Sequence, residues 1–286
     1  MSAQPTGWTR LGIIAGGGHL PREIVNAIAD TRPFVLRING AADDDFAEFD
    51  GITVSIGEIG KAIKAFKEAG CDGVCFAGYV TRPNLKTLRV DGVGARLMPK
   101  VLLAARKGDD ALLRVILDAF DKHDLPVHGA DEVLAPLKVD AGVFGAIQPT
   151  DEVWEDVRKA VHVAQTIGAL DIGQGAVVSG GLVLALEAQE GTNAMLDRVA
   201  TLDPVLRGTA EGQKAGVIAK MSKPIQERRV DLPTVGLETV RRVEAAGLAG
   251  IAIEAGGALV VGRERVRQAL DEAGLFLVGV ERETDV

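Results

Sequence analysis

The densest group of chemically useful side chains lies in the segment AKMSKPIQERRVDLPTVG, residues 219–236. It connects a short apolar run to a predicted helix, and a connection that only had to turn would use Gly, Asn or Ser. Lysine and arginine suit phosphate oxygens, and a carboxylate held among cations stays ionised and can bind a metal or orient water. The alternative is a solvated charged turn, in which Asp231 caps a helix that begins near Pro233. The candidate residues of this segment are Lys220, Lys223, Gln226, Arg228, Arg229 and Asp231.

A glycine-rich turn, AGGGHLP, follows the first predicted strand, Leu11–Ala15, and opens the first helix. Backbone N–H groups at a helix N-terminus favour an anion such as a phosphate or a carboxylate. The turn lacks the third glycine of the dinucleotide fingerprint, and Pro21 stands where the helix should begin, so NAD binding is disfavoured. The alternative is a tight turn that only packs the helix against the sheet. The candidate ligand contacts are Gly16, Gly17, Gly18, His19 and Leu20.

Two further segments of the first half carry polar groups. AGYVTRP leaves the carboxyl end of the third predicted strand, where open α/β sheets bind ligands, and offers Gly78, Val80 and Arg82 as contacts. The alternative is that Arg82 is a surface residue of a crossover loop. KGDDALL places Asp109 and Asp110 at the start of a helix, where they either cap the helix or hold Mg²⁺.

The segment LDIGQGAVVSGGLVLALEAQEGTNAM combines a hairpin signal with carboxylates. Two apolar strands are joined by Ser-Gly-Gly, and Gln174 precedes the first of them. Glu187 and Glu190 follow the second strand, where a carboxylate costs burial free energy unless it is paired or binds a metal. Thr192 or Asn193 would cap the next helix, which accounts for those two residues but not for the glutamates.

The remaining pattern predicts the elements that position these segments. The chain has 286 residues, of which 47% are hydrophobic and 25% are charged, as in ordinary globular proteins. Strand, helix, strand, helix and strand alternate at the start, which predicts a Rossmann-like parallel sheet. The periodicity lapses in APLKVDAGVFGAIQPT, and the second half mixes helices, the hairpin and apolar strands such as GIAIEAGGALVV. We predict a two-domain α/β protein with a flexible extension (residues 1–9), a Rossmann-like domain (10–138), a linker (139–148) and a carboxy-terminal mixed α/β domain (149–286).

Charge and cysteine content exclude several classes of protein. The net charge is −8 and the pI is near 5.2, whereas non-specific nucleic-acid binding needs a basic face. Cys71 and Cys75 lack the further ligands of a zinc site, and Cys75 lies in an apolar run typical of a buried strand. We expect neither a signal peptide nor a membrane span, since no stretch approaches about eighteen apolar residues.

Seven motifs occur in order over almost the whole chain: LGIIAGGGHLP, AGYVTRP, KGDDALLR, LDIGQGAVV, LEAQEGTNAM, KPIQERRVDLPTVG and GLAGIAIEAGGALVV. Together they resemble the LpxI family, the UDP-2,3-diacylglucosamine pyrophosphatases of lipid A biosynthesis in some Gram-negative bacteria. The resemblance implies a Rossmann-like domain and a family-specific catalytic domain with the substrate between them. It also implies Mg²⁺-dependent hydrolysis of UDP-2,3-diacylglucosamine to UMP and 2,3-diacylglucosamine 1-phosphate (lipid X), with water attacking the β-phosphorus.

The resemblance also implies roles for the candidate residues. The family's essential aspartate corresponds to Asp231, because R-x-D-L-P is the part of the motif that matches best. Lys223 and Arg229 join Asp231 as catalytic candidates, and Asp231 with Glu190 forms the candidate metal site. The candidates for substrate binding are Gly16, Gly17, Gly18, His19, Leu20, Gly78, Val80, Arg82, Gln174, Thr192, Lys220, Gln226 and Arg228.

The chain departs from the family pattern at two positions. Asn193 and Glu227 stand where the family commonly has Asp. The change at 193 removes a charge, so Asn193 is left out of the predicted metal site. The change at 227 keeps the charge but moves it further from the backbone.

Other functions and the setting of the protein stay open at this point. A non-catalytic regulator that binds nucleotide or lipid would give the polar strand ends a binding role only, and a nucleotide-dependent oxidoreductase would use the Rossmann-like half. Because few cysteines suit a reducing compartment, we expect a cytoplasmic protein. We expect it to contact the inner leaflet transiently through its open cleft. Enzymes of this size are often symmetric dimers, although the oligomeric state is not readable from the sequence.

Overall fold

A computed structural model describes residues 7–81, 83–84, 88–106 and 108–282. These residues form two compact units. The amino-terminal unit contains the chain up to Ala135 together with the short segment Glu227–Asp231. The carboxy-terminal unit contains Pro136–Gln226 and the chain from Leu232 onward. A piece of the charged segment from the second half of the sequence therefore belongs to the first unit. The limits predicted for the two domains stay predictions.

The amino-terminal unit consists of short strands alternating with helices. Its elements in chain order are β1 (Leu11–Ala15), α1 (Leu20–Ala27), β2 (Phe34–Ile38), β3 (Gly51–Val54), α2 (Ile59–Glu68), β4 (Gly73–Ala77), α3 (Gly92–Ala104), α4 (Asp109–Asp121), β5 (Val127–His128) and α5 (Ala130–Val133).

The five strands of this unit form one parallel sheet in the order β3-β2-β1-β4-β5. The predicted strand at Leu11–Ala15 is confirmed, but the predicted alternation was incomplete, because β3 lies between β2 and α2. Strand β3 has only four residues, and its two apolar residues, Ile52 and Val54, are too few for periodicity to detect. A parallel sheet gathers all its carboxyl ends at one edge, and that edge receives the glycine-rich turn.

The core of this unit is built around a glycine in the central strand. Every residue of β1 is buried, as expected for a strand covered on both faces. The ring of Phe66 packs over Gly12, where a Cβ would lie only 2.4 Å from the ring. Phe66 also makes an edge contact with Phe34 at 5.9 Å between centroids and a tilted contact with Phe120 at 6.4 Å. The missing side chain at position 12 therefore allows the aromatic cluster to form.

The carboxy-terminal unit is larger and mixes parallel with antiparallel strands. Its elements are β6 (Gly142–Val143), α6 (Asp151–Ala169), β7 (Gly175–Ser179), β8 (Leu182–Leu186), α7 (Gly191–Ala200), α8 (Pro204–Arg207), β9 (Val217–Lys220), β10 (Thr234–Val235), α9 (Leu237–Ala245), β11 (Gly250–Glu254), β12 (Leu259–Val260), α10 (Arg263–Ala273) and β13 (Phe276–Val280).

Six of these strands form a mixed sheet in the order β6-β13-β11-β9-β7-β8. Strands β9, β11 and β13 are parallel, whereas β7 runs antiparallel to β9 and pairs with β8 in a hairpin. Helix α6 covers one face through Val157, Ala160 and Ala164. Helices α7, α9 and α10 cover the other face. The mixed α/β architecture predicted for the second half is confirmed.

Backbone conformation at glycine explains why one prediction is confirmed and another is wrong. The predicted hairpin is confirmed: Gly180 and Gly181 have φ of 54° and 74°, and the buried carboxylate of Asp156 accepts both of their N–H groups. The single strand predicted over GIAIEAGGALVV is wrong, because Gly256 adopts φ of 65° and the chain turns between β11 and β12. Strand β12 pairs instead with β10 in a separate two-stranded sheet.

Two further expectations concern membranes and thiols. In the described part of the chain, no helix combines the length and the apolar character needed to cross a membrane. Cys71 and Cys75 are free and buried, as predicted for Cys75. Burial raises the pKa of Cys71 to about 11 and that of Cys75 to about 12. Both groups are therefore neutral thiols at physiological pH.

Replacing Gly12 by Ala tests the aromatic packing of the amino-terminal unit. The new methyl group overlaps the Phe66 ring, and relieving such an overlap costs roughly 1–3 kcal/mol. We expect a lower midpoint of urea denaturation. Gly92→Ala is the matched control, because a Cβ there meets nothing within 4 Å and lies at the start of a helix. Equal midpoints for the two variants would contradict the packing described.

Candidate active site

The carboxy-terminal unit gathers polar side chains at one edge of its sheet. Lys220 is the last residue of β9, and it pairs with Gly175, the first residue of antiparallel β7. On its other side, Lys220 lies beside Ile253, one residue before the end of β11 at Glu254. The carboxyl ends of β9 and β11 and the beginning of β7 therefore lie at the same edge. The charged segment leaves the sheet at this edge.

Two buried charged residues fix the beginning of the segment. Lys220 is only 6% exposed, and its Nζ donates a hydrogen bond to the carbonyl oxygen of Thr234 at 2.9 Å. Glu254, which is 5% exposed, accepts a hydrogen bond from the backbone N–H of Ser222 at 2.9 Å. The Ser222 hydroxyl donates to the carbonyl oxygen of Gly257 at 2.7 Å. Residues 220–222 are thus held on both sides before the polar turn begins.

Three of the predicted site residues form one hydrogen-bonded group. The Oε1 atom of buried Gln226 accepts the backbone N–H of Lys223 at 3.0 Å, and its Nε2 donates to Oε1 of Gln174 at 3.4 Å. The Nζ of Lys223 forms an ion pair with Asp171 at 2.9 Å. The structure therefore brings Lys223, Gln226 and Gln174 together, and it supplies a carboxylate that sequence reasoning missed. The only local signal for Asp171 is its positive φ of 55° after α6, which a sequence does not display.

Glu187 is a buried carboxylate at the same edge. One oxygen, Oε1, accepts a hydrogen bond from the hydroxyl of Thr192 at 2.9 Å, and the other, Oε2, is buried without a hydrogen-bond partner among the described residues. The Oε2 atom lies 2.4 Å from where a Cβ of Gly175 would be. Because opposed residues in a ladder share a face, this carboxylate lies on the face that carries the Lys220 side chain.

The start of helix α7 differs from the prediction that Thr192 or Asn193 caps it. Helix α7 begins at Gly191, and no side chain caps it, so the predicted cap by Thr192 or Asn193 is wrong. The carboxylate of Glu190 forms an ion pair with Arg198 at 2.9 Å and accepts the backbone N–H of Ala188. Hydrogen bonds from its own backbone N–H and from Arg198 hold the pKa of Glu190 below its usual range.

In the amino-terminal unit, the glycine-rich turn packs against the chain that leaves β4. The N–H of Gly16 donates to the carbonyl of Ala77, and Gly17 and Tyr79 exchange two backbone hydrogen bonds. A Cβ at Gly78 would lie 2.3 Å from the carbonyl oxygen of Gly17, so both sides of the contact need glycine. The structure therefore brings Gly78 to the glycine turn.

The N–H of Gly18 is bonded to a side chain. It donates to Oδ2 of Asp43 at 2.6 Å, and Asp43 comes from the loop after β2. A phosphate at this N–H would have to displace that carboxylate, and the sequence offered no sign of this contact.

His19 precedes α1, which begins at Leu20, and Val80 is 40% exposed. The predicted contact Arg82 and the side chain of Asp109 lie outside the described residues.

The turn formed by Glu227–Asp231 makes its polar contacts with α4. The backbone N–H of Glu227 donates to Oδ1 of Asp110 at 2.6 Å, so Asp110 serves as an acceptor for a distant loop. Gly108 is the N-cap of the helix and provides no side-chain cap, so the predicted cap by one of the two aspartates is wrong, and Asp110 is an acidic residue of the first turn. The predicted cap by Asp231 is also wrong, since the following helix, α9, begins at Leu237 after Gly236.

Arg229 is held by two carboxylates. Its Nε and Nη2 donate to the two oxygens of Glu227 at 2.9 and 3.1 Å, and its Nη1 lies 3.1 Å from Asp121. The hydrogen bonds from Arg229 hold the pKa of Glu227 below its usual range, and those same bonds raise the pKa of Arg229. A guanidinium engaged in this way is anchored in the protein, whereas a phosphate ligand would need the same donors.

Arg228 and Asp231 differ from Arg229 in having their charged groups available. Arg228 is exposed, and within its unit the described residues give it no ion-pair partner. Asp231 is half-buried, and its carboxylate accepts no hydrogen bond from the described residues of that unit. Its backbone N–H donates to the carbonyl of Glu227 at 3.0 Å, which fixes the main chain while the carboxylate remains available.

The metal site predicted from Asp231 and Glu190 stays a prediction, and each residue is described within its own unit. Among the described residues, no group of three or more His, Cys, Asp or Glu side chains is arranged to hold a metal ion. Glu190 is engaged by Arg198, which makes it a poor ligand. Asp231 suits Mg²⁺ better, because this ion takes one or two carboxylates and completes its shell with substrate phosphates and water.

The described geometry defines a class of protein: a two-unit α/β protein with polar groups at the strand ends of each unit. Family models for the LpxI N-terminal and C-terminal domains match residues 10–137 and 140–278, respectively. UDP-2,3-diacylglucosamine pyrophosphatase LpxI of Caulobacter vibrioides is 52% identical over 274 residues, which cover 95% of this chain and 98% of that protein. The chain belongs to the LpxI family, and the resemblance inferred from the motifs is confirmed.

Replacing Glu227 by Gln tests the contribution of its ion pair to stability. The pKa of Glu227 is lowered in the folded protein, so the pair stabilises the fold above the ordinary pKa of 4.5 and is lost as pH falls through the folded value. We expect the variant to lose roughly 1–2 kcal/mol near neutral pH. The difference from wild type should shrink below about pH 4.5.

Urea denaturation over a pH series measures this difference. The control is Glu68→Gln, which removes an exposed ion pair with Lys64 and should change stability by less than about 0.5 kcal/mol. A difference for Glu227→Gln that stays constant down to about pH 3 would contradict the assignment.

Proposed function

We propose that this protein hydrolyses the pyrophosphate bond of UDP-2,3-diacylglucosamine, giving UMP and 2,3-diacylglucosamine 1-phosphate (lipid X), in lipid A biosynthesis. The observation that carries the proposal is the similarity to the Caulobacter vibrioides enzyme over nearly the full length of both proteins. The hydrogen-bonded group of Lys223, Gln226 and Gln174 supports it, because these residues come from motifs far apart in the chain.

The amino-terminal unit binds the uridine nucleotide as a Rossmann-like domain in this proposal. Its strand order, β3-β2-β1-β4-β5, is that of the first five strands of a dinucleotide-binding sheet, and its glycine turn lies between β1 and α1. A surface cavity of about 560 Å³ lies beside the turn, with Arg37, Asn39, Asp43 and Thr53 among its lining residues. The acidic lining disfavours a pyrophosphate and suits hydroxyl and amide groups.

Asp231 is the central catalytic residue of the proposal. Its carboxylate can orient the attacking water and accept its proton, because no described group of its unit competes for it. Water adds its oxygen to the β-phosphorus, the bond from this phosphorus to the bridging oxygen breaks, and the bridging oxygen leaves with UMP. Bound at Asp231, Mg²⁺ would supply charge neutralisation for the pyrophosphate oxygens.

The cations take different roles. Arg228 is exposed and stands three residues before Asp231, and it binds a phosphate oxygen. Arg229 instead holds the turn through Glu227 and Asp121. Lys223 provides charge at the sheet edge of its own unit, with Asp171 as its partner until substrate binds. Because catalysis of phosphoryl transfer is mainly positioning and electrostatic stabilisation, fixed cations of this kind suit the reaction.

The substrate also suggests where the protein acts. A diacylated sugar nucleotide is delivered from a membrane surface, so we propose a cytoplasmic protein that contacts the inner leaflet transiently. Exposed apolar residues of the carboxy-terminal unit support such contact: Leu170, Ile172, Leu182, Val183, Val205, Leu206 and Ile225. Co-sedimentation with anionic liposomes, compared between wild type and a Leu182→Ser variant, would measure it.

Incubation with UDP-2,3-diacylglucosamine in oxygen-18 water tests the reaction. We expect UMP and lipid X in equal amounts by mass spectrometry, with the label on lipid X because water attacks the β-phosphorus. EDTA should abolish turnover, and added Mg²⁺ should restore it. Label on UMP would refute the site of attack. Substrate binding by folded protein without any product would favour a non-catalytic binding protein instead.

Replacing Asp231 by Asn tests the central residue. The amide keeps the size of the side chain but cannot accept a proton, and we expect kcat to fall by about 10³-fold or more. Circular dichroism and the denaturation midpoint should match wild type, because the carboxylate accepts no hydrogen bond from the described residues of its unit. Asp118→Asn, an exposed change on α4, is the control. Turnover within about threefold of wild type for Asp231→Asn would remove Asp231 from the mechanism.

A further inference from the structure

The contact between α4 and the Glu227–Asp231 turn joins parts of the chain that are distant in sequence. Asp110 Oδ1 accepts the Glu227 N–H at 2.6 Å across 117 residues. Asp110 Oδ2 accepts a hydrogen bond from Nε of Arg114, one helical turn further on, at 2.8 Å. The Asp110 side chain is only 16% exposed. Both oxygens of this largely buried carboxylate accept hydrogen bonds. Moving the side chain would leave its charge poorly solvated, so Asp110 is held in place as an acceptor.

A second contact holds the same turn from its other side. Arg229 connects Glu227 to Asp121, the last residue of α4, so both ends of this helix contact the turn. Between these polar contacts, Val230 packs against the aromatic core cluster of the amino-terminal unit. The turn is thus attached by a backbone hydrogen bond, an ion pair and a partly buried apolar side chain.

The attachment reaches Asp231 through the main chain. The carbonyl oxygen of Glu227 accepts the N–H groups of Val230 at 3.1 Å and of Asp231 at 3.0 Å. A shift of Glu227 would therefore move the backbone of Asp231 with it. Geometry matters here because misplacing a catalytic group by about 1 Å can cost about 10²-fold in rate.

We propose that Asp110 is a positioning residue, which holds the Glu227–Asp231 turn against α4 and thereby sets the place of the Asp231 carboxylate. The expected effect on kcat rests on the proposed function, whereas the attachment of the turn to α4 does not. It explains why KGDDALLR and KPIQERRVDLP occur in the same chain: the first motif supplies the acceptor for the second. Asp110 touches neither substrate nor metal in this role and acts through the backbone of Glu227.

The test combines hydrogen exchange with kinetics on the full-length protein. In Asp110→Ala, the Glu227 N–H loses its acceptor, and we expect peptides covering 227–231 to exchange at least about tenfold faster. We expect kcat for UDP-2,3-diacylglucosamine to fall at least about tenfold with KM changed less than about threefold. Asp110→Asn keeps an oxygen acceptor and should restore slow exchange and most of kcat.

The control and the contrary outcomes separate positioning from general stability. Asp118→Ala removes an exposed carboxylate from the same helix and should alter neither exchange nor kcat. Unchanged exchange in Asp110→Ala would overturn the attachment, and faster exchange with normal kcat would overturn the positioning role. An Asp110→Asn variant that behaves like Asp110→Ala would overturn the backbone hydrogen bond as the cause. If wild type does not hydrolyse the substrate while exchange still responds to Asp110→Ala, the proposed function fails and the attachment is supported.

Discussion

A carboxylate that leaves bulk water must receive hydrogen bonds, and backbone N–H groups of loops are the donors that this protein uses repeatedly. Asp156 receives two N–H groups of the hairpin turn, and Glu254 receives that of Ser222. In the amino-terminal unit, Asp110 receives that of Glu227. Such bonds fix the paths of loops that contain no regular structure. The acidic composition of the chain therefore serves its internal architecture as well as its surface.

The same constraint divides the cations of the charged segment into two kinds. Arg229 and Lys223 each contact carboxylates, so part of their charge is already neutralised by the protein. Arg228 is exposed, with its charge directed to solvent or ligand. Residue type alone treats these three cations as equivalent, and only their partners separate anchoring from binding. Arg229, a catalytic candidate by motif, is for this reason better suited to hold the turn.

How much could be predicted from the sequence depended on the range of the interactions. The strand Leu11–Ala15 and the hairpin follow from local periodicity and turn chemistry, and the sequence predicted them. Strand β3 was missed because it has only four residues, of which one is buried. The pairs that shape the site could not be predicted, since Lys223 and Asp171 are 52 residues apart and neither position carries a local signal for the other. Glu187 was recognised as unusual, but its contact with Thr192 required the structure.

Glu227 departs from the pattern that the resemblance implies, and its contacts separate what its backbone does from what its side chain does. Its backbone N–H binds Asp110 whatever the side chain is, so the attachment to α4 does not depend on the substitution. Its side chain reaches two nitrogens of Arg229 with separate oxygens. The side chain of Glu227 therefore holds Arg229, while its backbone N–H fixes the main-chain path that leads to Asp231.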